Sequence, residues 1–369
     1  MRLPTDDELA LREACREVLS KHSTSANVRL VMSSVDGFDA EFWTLVTDLG
    51  WPALAIPEAF GGLGGSVGQL AVVAEELGRS GQPGPLVQTL AVAHVVGRPA
   101  ARDADRAGFL DAIAGGRAVV TFGGIGPDSP APVEVIDAPG GATLRGVVEF
   151  VPDGHCATHL LVPVHRAGTV RTAVVELSGT ARTVVPTVDL TRRYTRVGLD
   201  GVPVAVELPG AAIDALFELA VVLQCAESTG IARRLLDLTV TYAGQREQFG
   251  RPIGSFQAIK HRIADLLVEV EGCRVATREA ADALDAGAGA GSSSAAGVEA
   301  VSIAKSWVGR AASFVASHAL QIHGGIGFSW EHDLHLFLRR AKANELLLGS
   351  PAWHDERLYR SVLGEISHD

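Results

Sequence analysis

The sequence predicts an α+β fold in which helices, then strands, then helices again follow one another along 369 residues. Three observations predict this order. Apolar residues recur with helical period in the first and last parts of the chain, short valine-rich runs fill the middle, and no βαβ alternation appears. Such an order is typical of separately packed layers and not of a doubly wound sheet. We therefore predict three domains, at residues 1–116, 117–208 and 209–369.

The first segment has the pattern of several helices. Residues 6–19 place six apolar side chains on one broad stripe. Ser66 followed by Gln69 predicts a capping box at the start of a second amphipathic helix. Four glycines within residues 61–65 predict a tight, irregular turn before it. A phosphate-binding loop is the alternative interpretation, because a helix N-terminus attracts anions, but no βαβ unit surrounds this one.

The middle segment has the texture of an antiparallel β-domain. Its apolar runs are short and rich in valine, and glycine, proline and aspartate separate them. The predicted strands lie at residues 119–122, 143–150, 159–164, 172–177 and 202–208.

Helical period returns after residue 210. Long apolar stripes run through residues 256–273 and 301–322, and each needs a partner helix to cover it. A four-helix bundle satisfies this need. Between the stripes, the low-complexity residues 285–297 predict a mobile loop that joins two helices.

Composition and charge exclude several classes of function. A net charge of −11 argues against a nucleic-acid binder, and 47% apolar residues exclude a disordered chain. No apolar run approaches the roughly 18 residues that cross a bilayer, and the acidic, amphipathic residues 1–14 do not have the pattern expected of a secretion leader or a transit peptide. Four widely spaced cysteines predict reduced thiols in a cytoplasmic protein, with no metal site. They are Cys15, Cys156, Cys225 and Cys273.

Two segments combine polar groups and glycines beside an apolar helix stripe. The first begins at Tyr242 and the second at Gln321. Arg246 offers a fork of donors suited to phosphate, and Phe249 offers a flat apolar face. Gly324 and the glycine after it allow close approach of a ligand or another backbone. The alternative is a helix break with an exposed arginine and a terminating glycine.

Together, four ordered segments resemble the acyl-CoA dehydrogenase family of flavoproteins. They read LGWPALAIPEAFGGLGGS (49–66), DLTRRYTRVGLDGVPV (189–204), YAGQREQFGRPIGSFQAIKHRIAD (242–265) and QIHGGIGFSWEHDLHLFLRRA (321–341). The resemblance implies an N-terminal helical domain, a middle antiparallel β-barrel, and a C-terminal four-helix bundle that builds dimers and tetramers. It also implies α,β-dehydrogenation of an acyl-CoA thioester, in which a carboxylate removes the α-proton and the β-hydrogen leaves as hydride to FAD.

In the family, FAD lies across a dimer interface. The flavin ring sits on the β-domain of one subunit, and the pyrophosphate and adenosine are held by C-terminal motifs of the other. The resemblance thus places Arg246 at the pyrophosphate and Phe249 against the cofactor. The implied cofactor-binding residues are Arg246, Gln248, Phe249, Gln257, Gln321, Gly324 and Gly325.

The half of the site that holds the flavin ring departs from the family pattern. Relatives carry a Thr-Glu-Pro strand, a Gly-Ser-Asp turn and a tryptophan over the ring. Residues 119–135 and 145–162 lack these elements, and the tryptophan position is Glu149 or Phe150. The hydroxyl and amide donors that would hold a ring are therefore expected to be missing.

The residues at the positions of the catalytic base also depart from the family pattern. One branch of the family carries its glutamate near the C-terminus, where Leu348 aligns, and the other carries it in the first C-terminal helix, where Ala220 aligns. Glu227 shares the helix face of Ala220 but lies two turns away, about 10 Å. It is the candidate for a relocated base, with a polar residue satisfied at a helix interface as the alternative. Glu218 points to roughly the opposite side.

Three hypotheses follow. In the first, the chain is one subunit of an α2β2 acyl-CoA dehydrogenase, and a paralogous partner supplies the ring-binding surface and the glutamate. Such enzymes, known in the family among actinobacteria, act on CoA thioesters of steroid side chains and pass electrons to an acceptor. In the second, the chain is a self-sufficient homo-oligomeric dehydrogenase with a moved base. In the third, it is a non-catalytic scaffold that keeps the bundle alone.

Overall fold

The computed structural model describes residues 3–98, 104–127, 129, 133–138, 141–287 and 294–366. Within these residues the predicted order of helices, strands and helices is confirmed. Six helices form the first part, and two short 3₁₀ turns lie between the third and the fourth. They are α1 (Asp6–His22), α2 (Ser25–Ser33), α3 (Ala40–Asp48), α4 (Val67–Ser80), α5 (Leu86–Gly97) and α6 (Ala104–Ala114).

Local capping explains where the first and fourth helices begin. The predicted capping box of Ser66 and Gln69 is present at α4, and Thr5 with Glu8 forms a second one at α1. The glycine turn before α4 is also confirmed, since a Cβ on Gly62 would lie 2.1 Å from the Ile56 carbonyl oxygen. The stripe of α1 is narrower than expected, because Leu9 is exposed while Cys15 and Leu19 are buried.

In the middle part, the described residues form nine strands in two sheets. Five of them, β5, β2, β3, β9 and β6, pair in a closed ring, because β6 pairs with both β9 and β5. β1 adds to β5 at the outside, and β4, β8 and β7 form a separate sheet. The strands are β1 (Val120–Phe122), β2 (Val133–Ala138), β3 (Gly141–Arg145), β4 (Val147–Pro152), β5 (His159–Arg166), β6 (Thr169–Glu176), β7 (Arg182–Val185), β8 (Tyr194–Gly198) and β9 (Val202–Leu208).

Three details of the β prediction are wrong. The run at 143–150 is two strands, because Gly146 turns the backbone with a φ of +146°. β2, β7 and β8 were not expected, and β7 is largely exposed, so that it lacks the apolar pattern of a strand. The domain is not wholly antiparallel either, since β1 and β2 both run parallel to β5.

After residue 210, the part of the chain that the structure describes forms five α-helices. Three are long and carry the predicted stripes, which are buried at positions such as Leu266, Val270, Val308 and Val315. They are α7 (Ala211–Gln245), α8 (Gln257–Ala286) and α9 (Ala295–His323), followed by the shorter α10 (Leu334–Leu346) and α11 (Pro351–Ile366). Contrary to expectation, α7 is long and apolar enough to cross a membrane, but its apolar window is entirely buried within the protein.

The predicted loop at 285–297 is shorter than expected, because helix continues into both of its ends. Asp285 belongs to α8, and its carboxylate accepts hydrogen bonds from the backbone N–H groups of Val67 and Gly68 at 2.8 and 3.1 Å. It therefore caps α4 from another domain, which is favourable at a positive helix end. Residues 288–293 of the loop lie outside the described residues.

Helices α4 and α7 cross at unusually close range. A Cβ on Gly78 would lie 2.1 Å from the Glu227 carbonyl oxygen, and one on Gly230 would lie 1.8 Å from that of Glu75. Each helix therefore needs a glycine where the other backbone passes. The crossing places the backbone of Glu227 directly against α4 at Gly78.

Candidate active site

All three parts of the chain contribute to one cavity of about 210 Å³. Gln88 comes from α5, Glu149 and Phe150 come from β4, and the segment after β1 forms one wall. α7 contributes Ala220, Gln224 and Glu227 from one face, and the turn after α10 contributes Leu348. The cavity thus brings together both positions at which the family resemblance places a catalytic base, and neither holds an acid.

The turn that carries Leu348 is held in a fixed, unusual backbone conformation. Leu348 has a φ of +59°, and Gly349 follows with a φ of +91°. The carbonyl oxygen of Leu348 lies 3.0 Å from Nε2 of His354, whose ring is completely buried and stacks on Phe217. Since a carbonyl only accepts, Nε2 carries the proton and donates. The turn thus places the side chain of residue 348 at the cavity, and in this chain that residue is leucine.

Acid is expected to weaken the fold through His354. Burial lowers its pKa from 6.5 to about 4. Between these values the unfolded chain binds the proton and the folded chain does not, so the free energy of unfolding falls as the pH drops through this window, by about 3 kcal/mol at most. Urea unfolding at pH 7 and pH 4.5 should show a smaller loss in His354→Gln than in the wild type. Equal losses in both would contradict the assignment.

Glu227 lies in a buried network of charges. Its Oε1 accepts from Arg192 at 2.5 Å and from Arg340 at 3.4 Å, and its Oε2 accepts from Asn344 at 2.9 Å. Arg340 also contacts Asp189 at 3.2 Å. Every one of these side chains is at most 7% exposed. Both carboxylate oxygens are therefore occupied by donors.

This environment keeps Glu227 ionised. Burial alone would raise its pKa, but the two arginines and the amide of Asn344 lower the pKa below its ordinary value. A general base works best with a pKa near the operating pH and with a free lone pair aimed at the substrate. The lowered pKa of Glu227 and the three hydrogen bonds that it already accepts both disfavour this role. Glu218, in contrast, is absent from the cavity and pairs with Arg357 of α11.

The same network joins the three parts of the chain. Arg340 of α10 donates to the carbonyl oxygens of Gln82, between α4 and α5, and Thr191, between β7 and β8. Arg192 follows Thr191 and reaches α7 through Glu227. Neither arginine was predicted as a site residue, although both lie inside segments that carry the family resemblance. Each stands next to a second arginine in a polar stretch, so the local sequence does not show which of the two is buried.

The two C-terminal motifs meet where α7 and α9 end. The ring of Tyr242 stacks on that of His323, with centroids 4.5 Å apart. After Tyr242 the chain forms a short hairpin of residues 247–252, and after His323 it turns at Gly324 with a φ of +61°. The structure therefore places the two motifs side by side, as a shared site requires.

The predicted cofactor residues all lie on this surface. Phe249 occupies the hairpin turn with a φ of +54° and is 93% exposed. Arg246 makes no side-chain hydrogen bond or ion pair within the described residues, and a Cβ on Gly324 or Gly325 would meet nothing within 4 Å. An apolar ring and an unpaired guanidinium held out in this way are available to another molecule. The exposed residues are Arg246, Gln248, Phe249, Gln257, Gln321, Gly324 and Gly325.

The wall of the cavity that β4 forms lacks the donor side chains that a flavin ring would need. Phe150, with a φ of +51°, is 59% exposed at the cavity, and the carboxylate of Glu149 pairs with Arg196 at 3.0 Å. An anionic side chain beside a phenyl ring offers no donors to a heterocycle with several carbonyl oxygens. Among the described residues no cluster of histidine, cysteine or acidic side chains could hold a metal ion.

Comparison with known proteins agrees with this architecture. Residues 5–117 match the family model of the acyl-CoA dehydrogenase N-terminal domain, and residues 211–363 match that of the C-terminal domain. The chain is 36% identical to acyl-CoA dehydrogenase IpdE2 of Mycolicibacterium smegmatis over 97% of its own length and 99% of the relative's. It is 34% identical to IpdE2 of Mycobacterium tuberculosis, over 94% and 95%.

Solved structures extend the likeness to three dimensions. The ChsE4-ChsE5 complex from Mycobacterium tuberculosis superposes with a TM-score of 0.89 at 26% identity, covering 98% of this chain and 99% of that one. The Tcur3481-Tcur3483 steroid ACAD superposes with a TM-score of 0.88, also at 26% identity and with the same coverage. The chain belongs to the acyl-CoA dehydrogenase family, whose members are FAD-dependent flavoproteins.

Proposed function

We propose that the chain is the subunit of a hetero-oligomeric, α2β2 acyl-CoA dehydrogenase that lacks the catalytic base. It supplies the ADP half of each FAD site, and a paralogous partner supplies the ring-binding surface and the glutamate. The observation that carries the proposal is the pair Leu348 and Ala220, which occupy both base positions around one cavity. Among the described residues the acids lining that cavity are Glu149 and Glu227, and both are held by arginines.

The residues of the chain fit one half of FAD and not the other. Arg246 offers a planar fork to the pyrophosphate, Phe249 offers a ring to the cofactor, and Gly324 leaves room beside them. FAD, when bound, accepts the β-hydrogen of the acyl group as hydride. The part of this chain is to bind and orient the ADP end, so that the ring rests on the partner.

The names of relatives support a proposal for the substrate class. IpdE2 is an acyl-CoA dehydrogenase, and one structural neighbour is described as a steroid ACAD. Two of the structural neighbours are named as assemblies of two different chains. We infer a CoA thioester with a steroid-derived acyl group as the substrate, and an electron-transfer protein as the acceptor of the electrons.

Co-expression tests the proposal directly. The chain alone should be colourless or weakly yellow and inactive toward acyl-CoA. When produced with a paralogue that is encoded beside it and carries the glutamate, it should purify as a yellow complex with one FAD per αβ pair. Flavin absorbance and bleaching by an acyl-CoA measure both properties. An isolated chain with one FAD per subunit and unaided dehydrogenation would replace the proposal by the self-sufficient enzyme.

Arg246 provides a separate prediction for the cofactor. Arg246→Ala should weaken FAD retention in the active assembly by about 1.5–3 kcal/mol, because a charge-assisted contact to pyrophosphate is lost. Flavin content after gel filtration and the unfolding temperature with and without added FAD provide the measurement. Arg251→Ala, on the neighbouring strand of the same hairpin and stacked on Phe256, is the matched control. Unchanged retention in Arg246→Ala would remove this residue from the phosphates.

A further inference from the structure

The cavity between the three domains contains an amide whose orientation is fixed by chemistry. Lys305 of α9 is 2% exposed, and its Nζ donates to Oε1 of Gln224 at 2.6 Å and to the carbonyl oxygen of Asn344. It forms no ion pair with a carboxylate within the described residues. Because an ammonium group only donates, the atom it contacts in Gln224 must be the oxygen. The Nε2 group of Gln224 is therefore the part of the amide that can donate a hydrogen bond into the cavity.

No described residue uses that Nε2 group. It makes no hydrogen bond, and it is not among the occluded polar atoms, so it is open at the cavity that Gln224 lines. Arg192 lines the same end, and one of its N–H groups is taken by Glu227. The cavity thus presents donors from α7 and from the segment before β8.

The acidic side chains that line the cavity already accept hydrogen bonds or ion pairs from donors of the chain itself. Both oxygens of Glu227 are occupied, Glu149 is paired with Arg196, and Oε1 of Gln88 is occluded. The charged groups that face or back this end are Arg192, Arg340, Lys305 and Glu227, with Asp189 and the buried Asp153 beside the two arginines. Three cationic and three acidic groups leave no large net charge, so this end favours a neutral oxygen that accepts a hydrogen bond, and the carboxylate of Glu227 disfavours a full negative charge close to it.

The remaining lining is mostly apolar and large enough for rings. Val87, Ala91, Phe122 and Leu348 contribute to it. An apolar cavity of about 150 Å³ binds benzene, so about 210 Å³ has room for a somewhat larger ring system.

We propose that this cavity binds an apolar ring system that carries a neutral carbonyl oxygen, and that Nε2 of Gln224 donates the hydrogen bond that selects it. Lys305 is a positioning residue, which keeps the amide turned the right way. The proposal goes beyond the proposed function, in which dehydrogenation takes place at the partner's base. It gives this chain a ligand site of its own that needs neither FAD nor the partner.

Three probes with one skeleton test the proposal on the full chain without FAD. They are 1-tetralone, the hydrocarbon tetralin, and tetralin-1-carboxylate, with dissociation constants from ligand-observed NMR titrations. The wild type should bind 1-tetralone about tenfold more tightly than tetralin, the ratio expected of one ordinary hydrogen bond. Equal binding of ketone and hydrocarbon, binding of neither, or tightest binding of the carboxylate would overturn the proposal.

Variants of Gln224 and Lys305 test whether these residues cause the preference for the ketone, and a third variant fills the cavity. Gln224→Leu should bind both neutral probes equally, with tetralin affinity unchanged. Lys305→Met should reduce the ratio of the two affinities without weakening tetralin, whereas general damage to the fold would weaken both probes. Ala220→Phe should abolish binding of both, because it fills the cavity. A ketone preference that persists in Gln224→Leu would exclude this residue as the donor. Since no step requires FAD, failure here leaves the co-expression result intact.

Discussion

Glu227→Ala is expected to lower the free energy of unfolding by about 3–5 kcal/mol, because it removes the shared anion from two buried guanidinium groups. Arg192 and Arg340 are 7% and 1% exposed, so loss of the shared carboxylate leaves buried positive charge with fewer acceptors. Nδ2 of Asn344 would lose an acceptor as well. Urea denaturation followed by far-UV circular dichroism measures the loss, with the midpoint and the slope fitted separately.

The same helix offers a matched control. Glu218 is as buried as Glu227, but its partner Arg357 is 24% exposed and can turn toward water when the carboxylate is gone. Glu218→Ala should therefore cost less than half as much. If the two variants lose similar stability, the network around Glu227 is not the junction that its geometry indicates.

The second large effect concerns turnover. In the proposed αβ assembly, changing the glutamate that we propose the partner supplies to glutamine should reduce acyl-CoA dehydrogenation by several orders of magnitude, because that glutamate is the group proposed to take the α-proton. Glu227→Gln in this chain should change the rate by less than tenfold, since its oxygens already accept from Arg192 and Asn344. Stopped-flow bleaching of the flavin separates the proton-transfer step from later steps.

Leu348→Glu supplies the control for this pair. It returns an acid to the turn that His354 holds, yet the chain alone should remain inactive, because the wall at Glu149 and Phe150 offers no ring donors. A loss of several orders of magnitude in Glu227→Gln, with FAD content unchanged, would instead identify Glu227 as a relocated base. The subunit assignment would then fail.

Much of the fold could be predicted because its signals are local. The capping box at Ser66, the stripes of α8 and α9 and the motif around Arg246 each depend on residues within one or two helical turns. The environment of Glu227 could not be predicted in the same way. Its partners Arg192 and Arg340 lie 35 and 113 residues away, and only the packed structure brings them to one point.

Some strands could be predicted from the local sequence and others could not. β5 and β6 are buried and rich in valine, so the sequence alone predicts them. β7 is largely exposed and pairs only with β8, and the turn at Gly146 needs a positive φ that composition does not reveal. The orientation of the Gln224 amide could not be predicted from the local sequence either, because it depends on a lysine 81 residues away.

The close crossing of α4 and α7 limits how such subunits can exchange parts during evolution. Because Gly78 and Gly230 each leave room for the other helix's backbone, a side chain on either one separates the helices that carry them. A hybrid that joins the N-terminal domain of this chain to the C-terminal helices of a paralogue is therefore expected to fold only if both glycines recur. Where a paralogue lacks one of these glycines, a stable hybrid is expected to take both helices from the same parent.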